Sequence, residues 1–582
     1  MLGFAWAADR RLAIWTFALL TTQAAAASLL GLWLRLFTDA AASHRHAGTV
    51  VAGLAIAASL TTMAAADYAA DRTRLTLGDR TRHLLDRRLL ELVGRSPTLQ
   101  IHQTPAYLRE LELLQAEAWE FGQAVPSVIE VLTLAVRILI SVILLASVTP
   151  VLLLLPVFGL PTLLLSARTE GLFNLGNELA AEPSRRAQML YELAANRSAA
   201  AELRLFRLRR ELLSRFAAEH DMIQRIHLRL AVRGQAFRLI GRTIFLCGYL
   251  GAIALVAYLA ARREVSIGAV AMTAVLAGQV LTLVTGSAEH AQWLLRTMMA
   301  SARYLFLEQV AEPARSGSTD VPASLAEGIR LEAVSFRYPG SDTHALREVT
   351  ATLPAGATVA VVGDNGVGKT TLVGLLAGLC RPTAGRILVD GVNLADLNPE
   401  AWRLRVSAGF QDHARYEFTI QRAVGIGELP HVDDQAAVCA ALDRAGAADV
   451  PDGAPAGLAT QLGPAWPAGI DLSGGQWQKL AIGRAMMRTE PLLLLLDEPT
   501  AAIDAETEHE LFARWTQAAQ ETRQRSGAIT VLVSHRFSTV RMADLILVLR
   551  DGAVCESGSH DDLIAAGGLY AELFELQARA YR

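Results

Sequence analysis

Lysine is almost absent from this chain of 582 residues: of its 54 basic residues only Lys369 and Lys479 are lysines, and the rest are arginines. Cysteine is also scarce. Cys247, Cys380, Cys439 and Cys555 are scattered without paired spacing, which supports neither a disulfide framework nor a metal site. A strong excess of one charge is missing too, since the formal net charge is -3. The arginines crowd between apolar segments of the first half, which is a topology signal rather than a nucleic-acid footprint. The opening "MLGFAWAADRRLAIW" has no small-residue cleavage site leading into a polar chain, so no signal peptide is read there. Apolar residues, in contrast, are abundant. They make up 52% of the chain and bring its mean hydropathy to +0.30, too high for an ordinary soluble protein of this size.

Six segments are read as bilayer crossings, at 12–37, 49–70, 125–148, 151–165, 239–261 and 267–285, because about 20 apolar residues span a hydrocarbon core. The fourth is short and holds Pro156 and Pro161, which leaves its limits open. Arg-rich stretches follow the second and fourth segments, and the positive-inside rule puts both of them, and both termini, in the cytoplasm. Leu and Ile at three- and four-residue spacing within these stretches predict helices that continue past the membrane as a bundle. Thr104 before Pro105 suits the cap of a short helix, and "LFRLRREL" marks a similar break. Ordinary bundle turns explain both equally well. In the third segment Glu130 and Arg137 stand seven residues apart on one helical face. Charge at that depth is expensive, so they are candidates either for a polar patch in a transport pathway or for an ion pair that supports packing.

A polar linker, "AEPARSGSTDVPASLAEG", occupies 311–328. Beyond it, short β-branched strands such as "ATVAVVG" and "AITVLVSH" alternate with helical stretches, the pattern of a mostly parallel sheet covered by helices. The fold expected is therefore multi-domain: an all-α transmembrane domain with six spans over 1–310, then an α/β nucleotide-binding domain over 329–582.

Within that second domain, "ATVAVVGDNGVGKTTLVGLLAG" has the order strand, glycine-rich loop, helix. Gly363, Asn365, Gly366, Val367, Gly368 and Thr371 belong to a loop whose backbone N–H groups wrap phosphates; Lys369 reaches the β- and γ-phosphates and the Thr370 hydroxyl ligates Mg2+. "PLLLLLDEPT" is a buried strand ending in two acids. Asp497 suits Mg2+, and Glu498 is positioned to orient or deprotonate an attacking water.

A second glycine-rich helix start, "LSGGQ" at Leu472, Ser473, Gly474, Gly475 and Gln476, has no phosphate-binding lysine of its own. Lying between the phosphate loop and the acidic strand end, it resembles the signature motif of the ATP-binding cassette family. That resemblance implies that the helix start faces an ATP held by the phosphate loop of a second cassette. Further residues match the family in order: Tyr338 as the adenine-stacking aromatic, Gln411 as the glutamine-loop residue that senses Mg2+, Asp504 in the loop that crosses to the partner, and His535 as the switch histidine. With Glu498, these imply ATP hydrolysis. Two departures stand out. "AAID" replaces the usual Ser-Ala-Leu-Asp, and "TQLGPAWPAG" lacks a frequent acidic residue.

Six spans followed by one cassette resembles the half-transporters of the exporter type, which implies a dimer, with a homodimer favoured over a heterodimer. It also implies a multi-pass protein of the inner (plasma) membrane whose cassette is cytoplasmic, with the bilayer and a transported substrate as further partners and no nucleic acid. Trp477 stands where many drug and lipid exporters have Arg, a variant similar to transporters of ribosomally made peptides. The expectation is ATP-driven export of a peptide or natural product. The alternatives are a lipid floppase, a multidrug exporter, or an importer built on exporter architecture.

Overall fold

A computed structural model describes residues 2–95, 98–99, 103–116, 124–196, 199–311, 317–499, 525–534 and 536–580. Contacts divide the chain into two units, one made of Met1–Leu90 with Glu112–Phe306, the other of Glu91–Leu111 with Leu307–Arg582.

The first unit is helical. The helices in order are α1 (Leu2–Ala42), α2 (His46–Arg95), α3 (Pro105–Ala116), α4 (Ala124–Ala146), α5 (Leu155–Ala195), α6 (Ala200–Leu205), α7 (Arg209–Ala261) and α8 (Ile267–Ala311), with the ends of α2 and the start of α3 falling in the second unit. At 1.5 Å per residue the 53 residues of α7 reach about 80 Å, far beyond a hydrocarbon core of about 30 Å. Helix α5 packs along α7 through small residues. The Thr162 and Thr169 hydroxyls donate to the carbonyls of Gly241 and Gly234 at 2.9 and 3.1 Å, and a Cβ at Gly234 would stand 2.7 Å from the Thr169 methyl. Gln279 on α8 donates to Ala27 on α1 at 2.8 Å, and Asp39 accepts from the Gly268 N–H at the start of α8.

Among the described residues five helices are long and apolar enough to cross a membrane, in α1, α2, α4, α5 and α7. The sixth expected crossing falls in α8, whose described apolar stretch, Ile267–Val280, is shorter than a span. The fourth crossing does not begin as a plain helix at 151: Pro150–Leu154 forms a 3-10 turn, and α5 runs from Leu155 with Pro161 inside it. The break expected near 205–212 is the turn between α6 and α7, where Arg207 has φ +53°.

The second unit holds two sheets. Strands β1 (Gly328–Phe336), β2 (Leu346–Pro354), β3 (Thr358–Val362), β4 (Ala384–Val389), β5 (Val392–Asn393), β6 (Val406–Gly409), β7 (Leu493–Asp497), β8 (Ile529–Val533), β9 (Leu545–Arg550) and β10 (Ala553–Gly558) form an antiparallel sheet in the order β2-β1-β4-β5 and a second sheet in the order β10-β9-β3-β8-β7-β6. From β9 to β6 the second sheet is parallel. Its central strands are buried on both faces, which is why they read as unbroken Val, Ile and Leu. Among the described residues the helices of this unit are α9 (Lys369–Leu376), α10 (Pro399–Leu404), α11 (Ile420–Gly425), α12 (Gln435–Arg444), α13 (Gly474–Ala485), α14 (Phe537–Val540), α15 (His560–Ala566) and α16 (Leu569–Ala580), apart from short turns at Leu429–His431, Asp449–Asp452 and Gly457–Ala459. The order β3-β8-β7-β6 decides where chemistry can sit. It lines up the carboxyl ends of four neighbouring strands, the edge at which open α/β sheets bind ligands.

Candidate nucleotide site

The phosphate loop leaves the end of β3 and turns into α9. Gly363 and Gly368 adopt φ +147° and +101°, and a Cβ on either would stand 2.4 Å from a backbone carbonyl oxygen, that of Leu549 or Ala345. Only glycine fits there. Asp364, Asn365 and Gly366 are exposed at the loop's crest, while Val367 is half-buried beneath them. The Lys369 ammonium, 7% exposed with its side chain, donates to the carbonyls of Gly363 and Asp364 at 2.8 and 2.9 Å. It thus spans the mouth of the loop. Burial pushes its pKa down, and the carboxylates of Glu498, Asp497 and Asp364 pull the other way.

Asp497 ends β7 two strands away, 1% exposed, and among the described residues neither of its carboxylate oxygens has a hydrogen-bond partner of good geometry, the Thr370 hydroxyl lying nearby. Burial raises its pKa, against the pull of the nearby Thr370 hydroxyl, and Glu498 raises it further. A buried, orphaned carboxylate is costly unless a cation joins it. Asp497 and Thr370 therefore fit the hard oxygen ligands that Mg2+ prefers.

Glu498 follows in the left-handed region, at φ +46°. Its backbone is held at both ends: its N–H donates to Val533 on β8 at 3.0 Å, and its carbonyl accepts from the Gln478 amide at 3.0 Å. The side chain accepts from Gln411 Nε2 at 3.1 Å. Gln411 stands in the loop after β6, so the last two strands of the row bring the glutamine and the glutamate together. Tyr338 is tied to the same end of the sheet, its hydroxyl 2.9 Å from Thr371 Oγ1 and its ring edge-on to Phe336.

The signature residues lie apart. Ser473 caps α13 and forms a capping box with Gln476: the Ser473 hydroxyl accepts from the Gln476 backbone N–H at 3.3 Å, and the Gln476 side-chain oxygen Oε1 accepts from the Ser473 N–H at 2.9 Å. Ser473 and Gly474 are exposed, Leu472 and Gly475 half-buried, and no hydrogen bond or ion pair among the described residues joins Leu472–Gln476 to the phosphate loop. The connection runs inside instead, through Gln478 on the same helix to the backbone of Glu498. The motif reading did not single out Gln478. Its signal was a glutamine that is only 7% exposed in mid-helix.

Asp504 and His535 lie outside the described residues. Trp477 points into the helical layer, 2% exposed among Val438, Leu442 and Leu480 of a core built by α11, α12 and α13. It fills that core. In the first unit Glu130 forms an ion pair with Arg74 of α2, not with Arg137, so one of the two charges is spent on helix packing. Arg137 Nε is buried without a hydrogen-bond partner among the described residues.

With this geometry in view, comparison with known proteins is informative. Residues 346–501 match the family profile described as ABC transporter. Over this segment the chain is similar to the ABC transporter family. Curated relatives include the "ATP-dependent lipid A-core flippase" of Burkholderia orbicola, 41% identical over 286 residues, which are 49% of this chain and 46% of that protein. The protein of the same name from Bordetella avium is 38% identical over 287 residues, again 49% and 46%. The matched stretch thus spans about half the length of the curated relatives. The fold extends further. The structure of a bacterial Atm1-family ABC exporter with ATP bound superposes with a TM-score of 0.77 over 98% of each chain, at 23% identity. The chain has the ABC exporter fold, an α-helical domain with membrane-length helices followed by an α/β ABC domain.

Proposed function

We propose that the chain is one half of an ATP-driven exporter of the cell membrane, and that it moves a lipid. The observation that carries the hydrolytic part is Glu498. Its carboxylate projects from a strand end fixed by Val533 and Gln478, receives Gln411, and lies within electrostatic reach of the Lys369 ammonium. A carboxylate so placed orients a water toward the γ-phosphate and takes its proton, while Lys369 and the loop's N–H groups stabilise the charge that develops on the phosphoryl oxygens. Asp497 and Thr370 would hold Mg2+, which supplies charge neutralisation across the β- and γ-phosphates when bound. Tyr338 is assigned to the adenine ring. His535 is assigned to the γ-phosphate and Asp504 to the partner's cassette, both by their place in the motif order.

The exposed signature helix start supports a dimer. Its N–H groups and the Ser473 hydroxyl have no phosphate within their own cassette, and a second copy brings one. Export follows if ATP binds the closed pair of cassettes better than the open pair, for otherwise it shifts no population.

For the cargo, the expectation of a peptide gives way to the lipid alternative. The relatives are named as lipid A-core flippases. The test is mass spectrometry of molecules that copurify with the Glu498→Gln protein. That variant should bind ATP but hydrolyse it at least about a hundredfold more slowly. A lipid enriched over the bulk membrane and released by ATP with Mg2+ is expected. A modified peptide released in its place would restore the peptide reading, and near-normal turnover by Glu498→Gln would remove the assigned base.

A further inference from the structure

We propose that the last described helix, α16, is part of the hydrolytic apparatus, with Gln577 as a positioning residue for Glu498. The proposal rests on the hydrolytic reading above and extends it to an element that no motif covers.

Helix α16 is not a loose tail. The Glu556 carboxylate on β10 accepts from the N–H groups of Leu569 and Tyr570 at 2.5 and 3.1 Å, which satisfies the first amides of the helix and ties its start to the sheet. Tyr570 is fully buried, its hydroxyl 2.8 Å from His560 Nδ1 on α15. From this anchored base the helix runs back to the catalytic edge. Phe574 stacks edge-on against Phe537 with ring centres 5.6 Å apart, and Tyr570 does so at 5.3 Å. One turn further on, Gln577 Oε1 accepts from the Phe537 N–H at 3.3 Å.

Phe537 is the first residue of α14, directly after the turn that leaves β8. On the other side of that turn the Ser534 hydroxyl accepts from the Arg536 N–H at 3.0 Å, and Val533 carries the carbonyl that receives the Glu498 N–H. Packed rings and a hydrogen bond therefore lead from α16 to Phe537, and the chain itself joins Phe537 to Val533, whose carbonyl holds the Glu498 backbone. Gln577, Phe537 and Glu498 line one cleft of about 320 Å³, together with Asn365, Ser534 and Leu573. The helix that holds the turn is thus also a wall of the space beside the phosphate loop.

Glu498 makes this support consequential. A non-glycine residue at φ +46° keeps that conformation only while its surroundings enforce it. Val533 is one of its two backbone holds, and the turn after Val533 is closed at its far end by Gln577. Loosening that turn widens the range of positions open to the carboxylate without touching the groups that bind the phosphates. The effect belongs in the chemical step rather than in ATP affinity.

The test is steady-state ATP turnover by the full chain in lipid nanodiscs, comparing wild type, Gln577→Leu and Gln577→Glu, with melting temperatures measured alongside. Gln577→Leu, at a half-buried position, is expected to lower kcat by about tenfold with KM for ATP changed less than about twofold, as for one hydrogen bond lost from a positioned transition state. Gln577→Glu keeps the accepting oxygen and is expected to recover most of that loss. Unchanged kcat in Gln577→Leu overturns the proposal. So does a fall in kcat with a matching rise in KM and a lower melting temperature that Gln577→Glu fails to restore, because that is the behaviour of a mere scaffold residue. Absence of turnover in the wild type would overturn the hydrolytic reading itself, a result separate from either outcome for Gln577.

Discussion

Asp497 and Glu498 are adjacent acids with opposite surroundings, and this division of environment assigns their roles. Asp497 is sealed at the end of β7 without a hydrogen-bond partner among the described residues, whereas Glu498 is half-buried and receives Gln411. The pKa of Asp497 is raised by burial first, with Glu498 adding to it. A carboxyl with a raised folded pKa holds its proton more tightly folded than unfolded. Its favourable contribution is complete at pH below the ordinary carboxylate range and is lost as pH rises through the elevated value. Near neutral pH, without a cation, the ionised side chain is therefore a cost. Asp497→Asn is expected to raise the melting temperature of the nucleotide-free protein at neutral pH by about 2–4 °C, the shift for roughly 1 kcal/mol in a domain of this size. The difference should shrink as pH falls into the carboxylate range, and the variant should gain less stability from ATP with Mg2+ than wild type does. Differential scanning fluorimetry across pH would show it, and a variant that melts lower than wild type at neutral pH would count against a strained Asp497.

At the scale of elements, the start of α13 has two separable duties. Ser473 completes a capping box, worth about 1 kcal/mol to the helix, and it presents a hydroxyl to solvent where a partner's γ-phosphate is proposed to sit. Ser473→Ala should lose both stability and turnover. Ser473→Asp should keep the cap, since Asp is as good an N-cap as Ser, yet place a negative charge toward a phosphate. It is expected to melt within about 1 °C of wild type while losing most ATPase activity. Recovery of turnover by Asp would mean that the residue only caps. The phosphate loop, the acidic strand end and the signature were legible in the sequence because each is a local device: strand, turn and helix start are encoded within about ten residues. What sequence did not disclose depends on pairings across long separations. Gln478 meets Glu498 20 residues on, Gln577 meets Phe537 40 residues back, and Arg74 claims Glu130 from another helix. The place of Trp477 is of the same kind: the helical period turns it inward to the core of α11 and α12, which the motif beside it does not disclose. The membrane half was legible in outline from hydropathy, and the 3-10 start of its fourth crossing was not, because Pro150 allows a turn or a helix equally.

At the scale of the whole molecule, the decisive property is that each ATP is proposed to be served by two chains. In a head-to-tail pair, one site takes Lys369 from the first copy and Ser473 from the second, and the other site takes the reverse. Lys369→Ala and Ser473→Ala should each give nearly inactive homodimers, since both sites are damaged in either. A mixed dimer of the two variants has one site with both defects and one site with none. Coexpression with two different affinity tags and sequential purification isolates that mixed species. Its ATP turnover is expected to rise well above either parent, toward about half the wild-type rate per dimer if the intact site works alone. Mixed dimers as inactive as their parents would mean that each chain completes its own site, or that two intact sites are obligatory. A mixed dimer carrying both changes on one chain beside a wild-type chain separates these outcomes. If the sites are shared, that dimer has one defect in each site and stays inactive; if each chain completes its own, it keeps the intact site of the wild-type chain.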